Sequence, residues 1–340
     1  MSDVVKSSLT ALIAGERPSP SAVQACFTAI MDGDVGEAQM AAFLIALKMR
    51  GEQVDDIAAA ASVMRDKALT IQASDDAMDI VGTGGDGFGT YNISTASAFV
   101  VAGCGIPVAK HGNKAVSSKS GAADVLSALG IKLDCEMALV ERALAEANIA
   151  FLMAPRHHAA MRHVGPVRAA LGVRTIFNLL GPLSNPALVK RIMVGVFDQS
   201  YCAPFAHVLA RLGTNHAWVV HGADGLDEVS TTGKTHVAAL VDGKVSEFTI
   251  SPEDIGLPTA RLDQLRGGDG EHNARYLHAL LEGETGPYHD IVLFNAAAAL
   301  VACGHVADLQ QGAKIAKASI DSGKALAALD GLIAITNGKA

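Results

Sequence analysis

The sequence predicts an α/β protein with a small all-helical domain and a larger domain that has a mainly parallel central sheet and flanking helices. Residues 1–72 show only helical patterns. After about residue 75, short apolar runs alternate with helical stretches, which is typical of a parallel sheet covered by helices on its faces. Of the 340 residues, 50% are hydrophobic but only 4% aromatic. A core of Ala, Val, Leu and Ile suits packed helices and parallel strands better than an all-β sandwich.

The N-terminal part has recognisable helix boundaries. Ser19 and Pro20 are typical of a helix start, and Gly51 follows the periodic run EAQMAAFLIALKMR where a helix should end. Asp55 or Asp56 can cap the next helix. We expect the apolar faces of these helices to form a helix bundle or a subunit interface.

The larger domain is expected to comprise residues 73–164 and 191–340. Its strand-like runs are MDIV, IPVAK, IAFLM, RIMVGV and HAWVVHG. HVAALVDGK and KVSEFTI flank an Asp-Gly dipeptide and predict a hairpin, and residues 273–337 again predict helix. The helical segment 165–190 ends in Gly-Pro and Asn-Pro breaks, so it could return to the first bundle and act as a hinge.

Charge and cysteine content exclude several classes of protein. A formal net charge of −8 argues against a broad basic surface for nucleic acid. The five cysteines are odd in number and lack zinc-ligand spacing, which indicates reduced thiols. The N-terminus does not resemble a signal peptide, and no apolar run is long enough for a bilayer. We therefore expect a soluble cytoplasmic protein with no membrane partner.

The strongest local signal is the glycine loop 82–87 (GTGGDG), directly after MDIV. Glycines let backbone N–H groups approach a phosphate, and loops at the carboxyl ends of parallel strands hold the ligands of such folds. The dinucleotide fingerprint also matches, but no helix follows at once, and the second strand ends in Lys110 where an acid is required. A purely structural glycine turn is the alternative.

Three further polar segments have both a structural and a chemical interpretation. Residues 92–95 (NIST) precede a helix, where they could cap it, bind an anion or place a serine on magnesium. Residues 110–119 contain three lysines, which could be a solvated run or complete a polyanion site. Asp227 and Glu228 repel each other unless a divalent cation binds, but an exposed acidic turn would look the same.

Residues 157–168 carry histidines and arginines at helical spacing. His158 and Arg162 are four apart and would share a helix face. Surface histidines are the ordinary explanation. Arg168 could be an ion-pair partner or bind a carboxylate with its planar fork.

Taken together, four segments resemble the anthranilate phosphoribosyltransferase family. They occur in that family's order and spacing: GTGGDGFGTYNIST, KHGNKAVSSKSGAADVLSALG, APRHHAAMRHVGPVRAALGVRTIFNLLGPLSNP and DGLDEVS. GGDGEHNA and LFNAAAALVACG are similar too, so the resemblance covers roughly residues 1–335. It implies the nucleoside-phosphorylase type of fold and a homodimer formed through the helical domain.

The resemblance also implies a magnesium-dependent transfer of the ribosyl group of 5-phosphoribosyl 1-diphosphate to anthranilate, in tryptophan biosynthesis. Lys110, Asp227 and Glu228 would be catalytic, and two magnesium ions would be held by Ser94, Asp227 and Glu228. The implied anthranilate site comprises Gly82, His111, Asn113, His158 and Arg168. The implied sugar-diphosphate site comprises Gly82, Gly85, Asp86, Thr90, Asn92, Ile93, Ser94, Thr95, Lys110, His111, Gly112, Asn113, Lys114, Ala115, Val116, Ser117, Ser118 and Ala122.

Two positions depart from the family's pattern. Ala122 stands where the family often has serine, which removes a hydroxyl contact to the diphosphate. Ala159 stands where proline commonly follows the paired histidines, which could loosen the placement of His158. Neither change removes a charged group.

Three other functions compete with this assignment. A pyrimidine nucleoside phosphorylase of the same general fold would use free phosphate, but the Asp-Glu pair and Arg168 fit it poorly. A catalytically silent relative that binds nucleic acid would need a basic surface. A dinucleotide-dependent dehydrogenase would bind NAD in preference to the sugar diphosphate.

Overall fold

The computed structural model describes residues 3–115 and 119–339. Four helices form the N-terminal part: α1 (Asp3–Ile13), α2 (Pro20–Asp32), α3 (Glu37–Arg50) and α4 (Val54–Asp66). The Ser19 hydroxyl caps α2 by accepting a hydrogen bond from the backbone N–H of Ala22 at 3.2 Å. The predicted aspartate cap of α4 is wrong in detail, because Gln53 is the N-cap and Asp56 accepts from its backbone N–H at 2.9 Å.

The larger part is built on one seven-stranded sheet. Its strands are β1 (Met78–Gly82), β2 (Val108–Gly112), β3 (Ile149–Met153), β4 (Arg191–Gly195), β5 (His216–Gly222), β6 (Thr235–Val241) and β7 (Lys244–Ile250). The order is β3-β2-β1-β4-β5-β6-β7, with β1–β5 parallel and β6 and β7 antiparallel. The predicted mainly parallel sheet and hairpin are confirmed; Asp242 and Gly243 form the turn with φ of 46° and 80°.

The remaining helices follow the strands in chain order. They are α5 (Ile93–Gly103), α6 (Ala122–Ala128), α7 (Met137–Ala147), α8 (Ala154–His157), α9 (Gly165–Leu171), α10 (Phe177–Leu183), α11 (Cys202–Arg211), α12 (Gly270–Leu281), α13 (Pro287–Ala302), α14 (Leu309–Asp321) and α15 (Lys324–Thr336). No helix within the described ranges is long and apolar enough to cross a membrane.

Two large hydrophobic cores cover the two faces of the sheet. Alternate residues of β5 show the division: Trp218 and Val220 pack into a core with α5, α13 and α15, whereas Ala217 and Val219 pack into the other core. The second core also contains α11, α9, α10 and helices of the N-terminal part. Helix α9 contacts α3, and α10 contacts α4. The domain boundaries, the return of segment 165–190 to the first bundle and the hinge remain predictions.

The strand order creates one crevice at the carboxyl edge of the sheet. In the sheet, β2 and β3 lie on one side of β1, and β4 and β5 lie on the other side. The chain connections therefore run in opposite directions away from the boundary between β1 and β4. Open α/β sheets bind ligands at such a switch point. Here the two strands pair in register up to their last residues, Gly82 and Gly195.

Candidate active site

Asp227 lies directly over the switch point between β1 and β4. The loop after β5 folds back so that the Asp227 carboxylate accepts a hydrogen bond from the backbone N–H of Gly84 at 2.6 Å. A Cβ at Gly82 would overlap this carboxylate, and a Cβ at Gly195 would overlap the Asp227 carbonyl group. The two strand-terminal glycines therefore allow the acidic loop to approach the sheet edge.

Glu228 points to a different position from its neighbour. Its carboxylate accepts a hydrogen bond from the backbone N–H of Ser94, in the first turn of α5, at 3.1 Å. The Nζ of Lys110 lies 3.3 Å from the Ser94 hydroxyl and also donates to the carbonyl of Ile80. Hence the predicted catalytic residues and the predicted metal-ligating serine meet at one edge of the sheet.

Burial changes the protonation of the acidic pair. It raises the pKa of Asp227 to about 7, with the nearby Asp86 charge as the next cause. Burial, and then the charge of Asp227, raises the pKa of Glu228 to about 8. Burial lowers the pKa of Lys110, whereas the charges of Asp79, Glu228 and Asp227 oppose that shift. The carboxylates of the site are therefore not balanced by nearby positive charge. A bound cation would supply the missing charge.

The donor set fits magnesium that arrives together with a diphosphate. Over residues 3–115 and 119–339, no group of three or more His, Cys, Asp or Glu side chains is placed to hold a metal ion. At this edge the described residues offer the carboxylates of Asp227 and Glu228, the Ser94 hydroxyl, and Asp86 close to Asp227. Magnesium keeps several waters and takes one or two carboxylates plus substrate phosphates, so an incomplete protein shell is the expected arrangement.

The glycine loop is an open turn rather than a helix start. Gly84 and Gly85 have φ of 69° and 82°, a region that side chains with a Cβ rarely adopt. Asp86 accepts from the backbone N–H of Phe88 at 3.2 Å, which stabilises the turn. Thr90 forms an isolated antiparallel bridge with Arg266. This loop does not open into a helix at its glycines, which agrees with the argument against the dinucleotide fingerprint.

Residues 92–95 do not act as a simple helix cap. Asn92 precedes α5 but makes no side-chain capping bond. Its Oδ1 instead accepts from Asn273 at 2.8 Å. Ile93 and Thr95 are buried, so their side chains support the turn.

The segment after β2 places one of its three lysines in the site. Lys110 is buried on β2, whereas Lys114 and Lys119 are exposed. The carboxylate of Asp124 accepts from the backbone N–H groups of Ala115 and Gly121, at 2.9 and 2.8 Å, and so joins the two ends of this loop. No local pattern distinguished Asp124 beyond its position near a helix start.

Other predicted residues of this segment lie on its borders. Gly112 ends β2, Asn113 is exposed and accepts from the backbone N–H of Lys114 at 2.8 Å, and Ala122 begins α6. The predicted residues Val116, Ser117 and Ser118 lie outside the described residues.

His111 and His158 form a buried pair beside α10. Their ring centroids are 5.1 Å apart, and His111 Nδ1 lies 3.1 Å from the carbonyl of Gly181 in α10. Burial lowers the pKa of His111 to about 3 and that of His158 to about 4. Both rings are therefore neutral at physiological pH.

Arg168 lies on α9, near the start of α10. Its Cζ is 5.9 Å from the ring centroid of Phe177, and no hydrogen bond or ring contact among the described residues joins it to His111 or His158. Residues 157–168 are not one continuous helix, because α8 ends at His157 and a 3₁₀ helix covers Ala159–His163 before α9. The predicted shared face of His158 and Arg162 is therefore wrong.

Comparison with known proteins agrees with this geometry over both parts of the chain. Residues 6–68 match the glycosyl transferase family helical bundle domain, and residues 74–326 match its a/b domain. Anthranilate phosphoribosyltransferase of Azospirillum brasilense is 56% identical over 333 residues, which cover 98% of this chain and 93% of that protein. The chain belongs to the anthranilate phosphoribosyltransferase family.

Solved structures of the family share the fold over its full length. The crystal structure of the Thermus thermophilus enzyme has a TM-score of 0.92 and 42% identity, covering 97% of this chain and 99% of that one. The Saccharomyces cerevisiae enzyme, in complex with PRPP and Mg, has a TM-score of 0.91 and 29% identity, with 99% of each chain covered.

Asp79 is a buried residue of the site region that sequence reasoning missed. Its carboxylate accepts from the backbone N–H of His111 at 3.2 Å and from the Asn185 amide at 2.7 Å. Asn185 also donates to the carbonyl of Ala109 at 2.7 Å. Burial raises the pKa of Asp79 to about 6. The sequence signal for Asp79 was an acid inside the apolar run MDIV. In the structure, its hydrogen bonds connect β1 with β2 and with segment 165–190.

Arg174 is a second residue that the sequence did not single out. It lies between α9 and α10, donates to the carbonyl of Gly85, and places its Cζ 4.1 Å from the ring centroid of Phe197. The backbone N–H of Phe197 in turn donates to the Thr83 hydroxyl at 3.1 Å. These contacts attach the glycine loop to the segment that packs against the helical bundle.

The depressed pKa of His111 predicts a specific acid sensitivity. Its pKa is about 3 in the folded protein against an ordinary 6.5, so only the unfolded chain takes up this proton as the pH falls below 6.5. Stability that is present above pH 6.5 is therefore lost progressively toward pH 3. At pH 5 the loss amounts to about 2 kcal/mol.

We expect His111→Asn to remove this contribution. Between pH 7 and pH 5, its free energy of unfolding in urea should fall by about 2 kcal/mol less than that of the unaltered protein. His207 is exposed, so His207→Asn serves as the matched control. Equal pH dependence for His111→Asn and the unaltered protein would contradict the shift.

Proposed function

We propose that this chain transfers the 5-phosphoribosyl group of 5-phosphoribosyl 1-diphosphate to the amine of anthranilate and releases diphosphate, the second step from chorismate in tryptophan biosynthesis. The observation that carries the proposal is the convergence of the glycine loop, Lys110 and the Asp227–Glu228 pair at the switch point of the sheet. Membership of the family supplies the two substrates.

The leaving diphosphate is the group that this site is suited to stabilise. When the bond between ribose C1 and diphosphate breaks, negative charge accumulates on the departing oxygens and the sugar becomes oxocarbenium-like. Lys110 supplies a buried positive charge beside Ser94, and backbone N–H groups of the glycine loop supply fixed donors. Such preorganised charges act strongly where water is excluded.

Magnesium would be held by Asp227, Glu228 and Ser94. When bound, it neutralises charge on the diphosphate. The two carboxylates contact different elements, Gly84 and Ser94, which supports two separate ion positions per subunit. Their raised pKa values support the same role, because burial without a cation disfavours both negative charges.

The acceptor site is proposed around Gly82, His111, Asn113, His158 and Arg168. An aromatic amine is already neutral at pH 7, so no strong base is required, and the two neutral imidazoles are suited to line an aromatic ring. Arg168 would bind the anthranilate carboxylate. We assign no covalent nucleophile; holding the amine in line with C1 supplies much of the remaining rate enhancement.

A homodimer formed through the helical part, located in the cytoplasm, completes the proposal. Ile13 on α1 and Met49 on α3 are 76% and 85% exposed, which supports a contact surface on these helices. Sedimentation of the purified chain at increasing concentration would measure the oligomeric state. A monomer at all concentrations would contradict the dimer.

The activity is tested directly by following anthranilate fluorescence. We expect fluorescence to fall only when 5-phosphoribosyl 1-diphosphate and magnesium are both present. Parallel reactions with a pyrimidine nucleoside and inorganic phosphate should show no phosphorolysis. Phosphorolysis without consumption of anthranilate would overturn the proposed function in favour of a nucleoside phosphorylase.

Arg168→Ala is expected to affect one substrate selectively. The KM for anthranilate should rise by roughly 10- to 100-fold, because a charge-assisted hydrogen-bond pair is lost. The KM for the sugar diphosphate should change much less. Arg162 lies in the same region but is exposed and donates to the nearby Ala159 carbonyl, so Arg162→Ala is the matched control. A larger rise in the KM for the sugar diphosphate would reject the carboxylate role.

A further inference from the structure

Asn273, a buried residue outside the predicted site, is hydrogen-bonded to Asn92 of that site. Asn273 lies on α12 and is 1% exposed. Its Oδ1 accepts from the backbone N–H of Gly268 at 2.8 Å, and its Nδ2 donates to Oδ1 of Asn92 at 2.8 Å. A hydrogen-bond chain therefore runs from a backbone amide, through Asn273, to a residue at the start of α5.

The backbone amide determines the direction of the whole chain. A backbone N–H can only donate, so the atom of Asn273 that faces Gly268 must be its oxygen. The NH₂ group of Asn273 then faces Asn92, and the atom of Asn92 that receives it must also be an oxygen. The orientation of both side-chain amides follows from this one donor rather than from a choice between equivalent positions.

This orientation leaves the Asn92 NH₂ group available to a ligand. The Asn92 Oδ1 is occupied by Asn273, and the Ser120 hydroxyl lies 3.4 Å from the same oxygen. In the part of the chain that the structure describes, both hydrogen bonds of the Asn92 side chain are to Oδ1 and none is from Nδ2. No described residue therefore occupies its two N–H groups, and a diphosphate accepts hydrogen bonds at every terminal oxygen.

The backbone around Asn92 is held independently of its side chain. The Tyr288 hydroxyl donates to the Asn92 carbonyl at 3.3 Å, and the Tyr91 ring stacks on Tyr288 at 4.4 Å between centroids. The backbone N–H of Tyr91 donates to the Leu265 carbonyl at 3.0 Å. Rotation of the Asn92 carboxamide is therefore the freedom that Asn273 restricts.

We propose that Asn273 is a positioning residue: it turns the Asn92 carboxamide so that its NH₂ group, and not its oxygen, faces the diphosphate of the substrate. The inference rests on the proposed function, in which Asn92 lines the sugar-diphosphate site. A reversed amide would direct a partial negative charge at the anion.

The kinetics of Asn273→Ala and Asn273→Asp test this orientation. Asn273→Ala should raise the KM for 5-phosphoribosyl 1-diphosphate about fivefold, because Asn92 can then adopt either orientation. Asn273→Asp should raise it further, to roughly tenfold or more, because a carboxylate accepts from both Gly268 and Asn92. Asn92 would then direct its oxygen at the substrate. The KM for anthranilate should change less than about twofold in both variants.

Double variants that also carry Asn92→Ala test whether Asn273 acts through Asn92. If Asn273 acts through Asn92, then adding Asn273→Ala or Asn273→Asp to Asn92→Ala should leave the KM for the sugar diphosphate unchanged. Additive effects in the double variants, or equal changes in the two KM values, would overturn the inference. Thermal melting of each variant shows whether the substitution destabilises the fold. A merely structural role would lower stability and turnover without a selective rise in the KM for the sugar diphosphate.

The same series distinguishes failure of the inference from failure of the function. If Asn92→Ala leaves the KM for the sugar diphosphate unchanged while the unaltered protein consumes both substrates, the inference is wrong and the proposed activity stands. If the unaltered protein does not consume anthranilate at all, the proposed function itself has failed, and the inference fails with it.

Discussion

Asp227→Asn and Glu228→Gln are each expected to reduce turnover by a factor on the order of 10²–10³ and to raise the magnesium concentration needed for half-maximal rate. The side chains keep their size but lose the negative charge that would hold the cation. Because the two carboxylates contact different elements, Gly84 and Ser94, the two variants should differ in their magnesium dependence.

Stability measurements separate this effect from misfolding. Burial raises the pKa of Asp227 to about 7 and that of Glu228 to about 8, so the charged forms destabilise the metal-free fold as the pH rises through these values. Without magnesium at pH 8, both variants should therefore unfold at a denaturant concentration equal to or above that of the unaltered protein. Asp330 is exposed on α15, and Asp330→Asn provides the control. Unchanged magnesium kinetics in both variants would argue against the metal role.

Gly195→Ala is expected to reduce turnover by roughly 10²-fold or more. A Cβ at this position would overlap the carbonyl group of Asp227, and backbone cannot rotate away as the end of a flexible side chain can. The acidic loop must therefore shift relative to β1 and β4. A displacement of about 1 Å is enough to cost a factor on the order of 10² in rate.

The comparison for Gly195→Ala is a glycine with free space around it. Gly36 has φ of −65°, and nothing lies within 4 Å of a Cβ built there, so Gly36→Ala should retain turnover close to that of the unaltered protein. Circular dichroism would show whether the sheet persists in both variants. Turnover near that of the unaltered protein in Gly195→Ala would mean that the close approach of the acidic loop is not required.

Local patterns were sufficient for the fold because its signals are short-range. The run MDIV, the capped start at Ser19 and the turn at Asp242 each depend on neighbouring residues, and the structure confirms all three. The interpretation of residues 157–168 as one helical face was wrong because helical spacing alone does not reveal the breaks at His158 and Val164. The N-cap of α4 was also misplaced, because neighbouring polar residues can each cap a helix: Gln53 is the N-cap, and Asp56 accepts from its backbone N–H.

The chemistry of individual side chains depended on contacts between distant parts of the chain. The strand-like run that ends in Lys110 separates this lysine from Lys114 and Lys119, but only the fold shows that it is buried beside Ser94 while the other two are exposed. Asn185 reaches Asp79 across 106 positions, and Asn273 reaches Asn92 across 181. Such pairs leave no periodic signal, so the residues that orient the site were not found from the sequence.

The sequence by itself determined the α/β architecture, the family and the types of residue that meet a phosphorylated substrate, since these follow from periodicity and from ordered motifs. Only the tertiary structure decided that the Asp227 carboxylate contacts Gly84 and that Lys110 is buried. It also decided the orientation of the Asn92 side-chain amide. The physical reason is that burial and hydrogen-bond direction are properties of the packed chain. They exist only after distant segments have been brought together at the edge of the sheet.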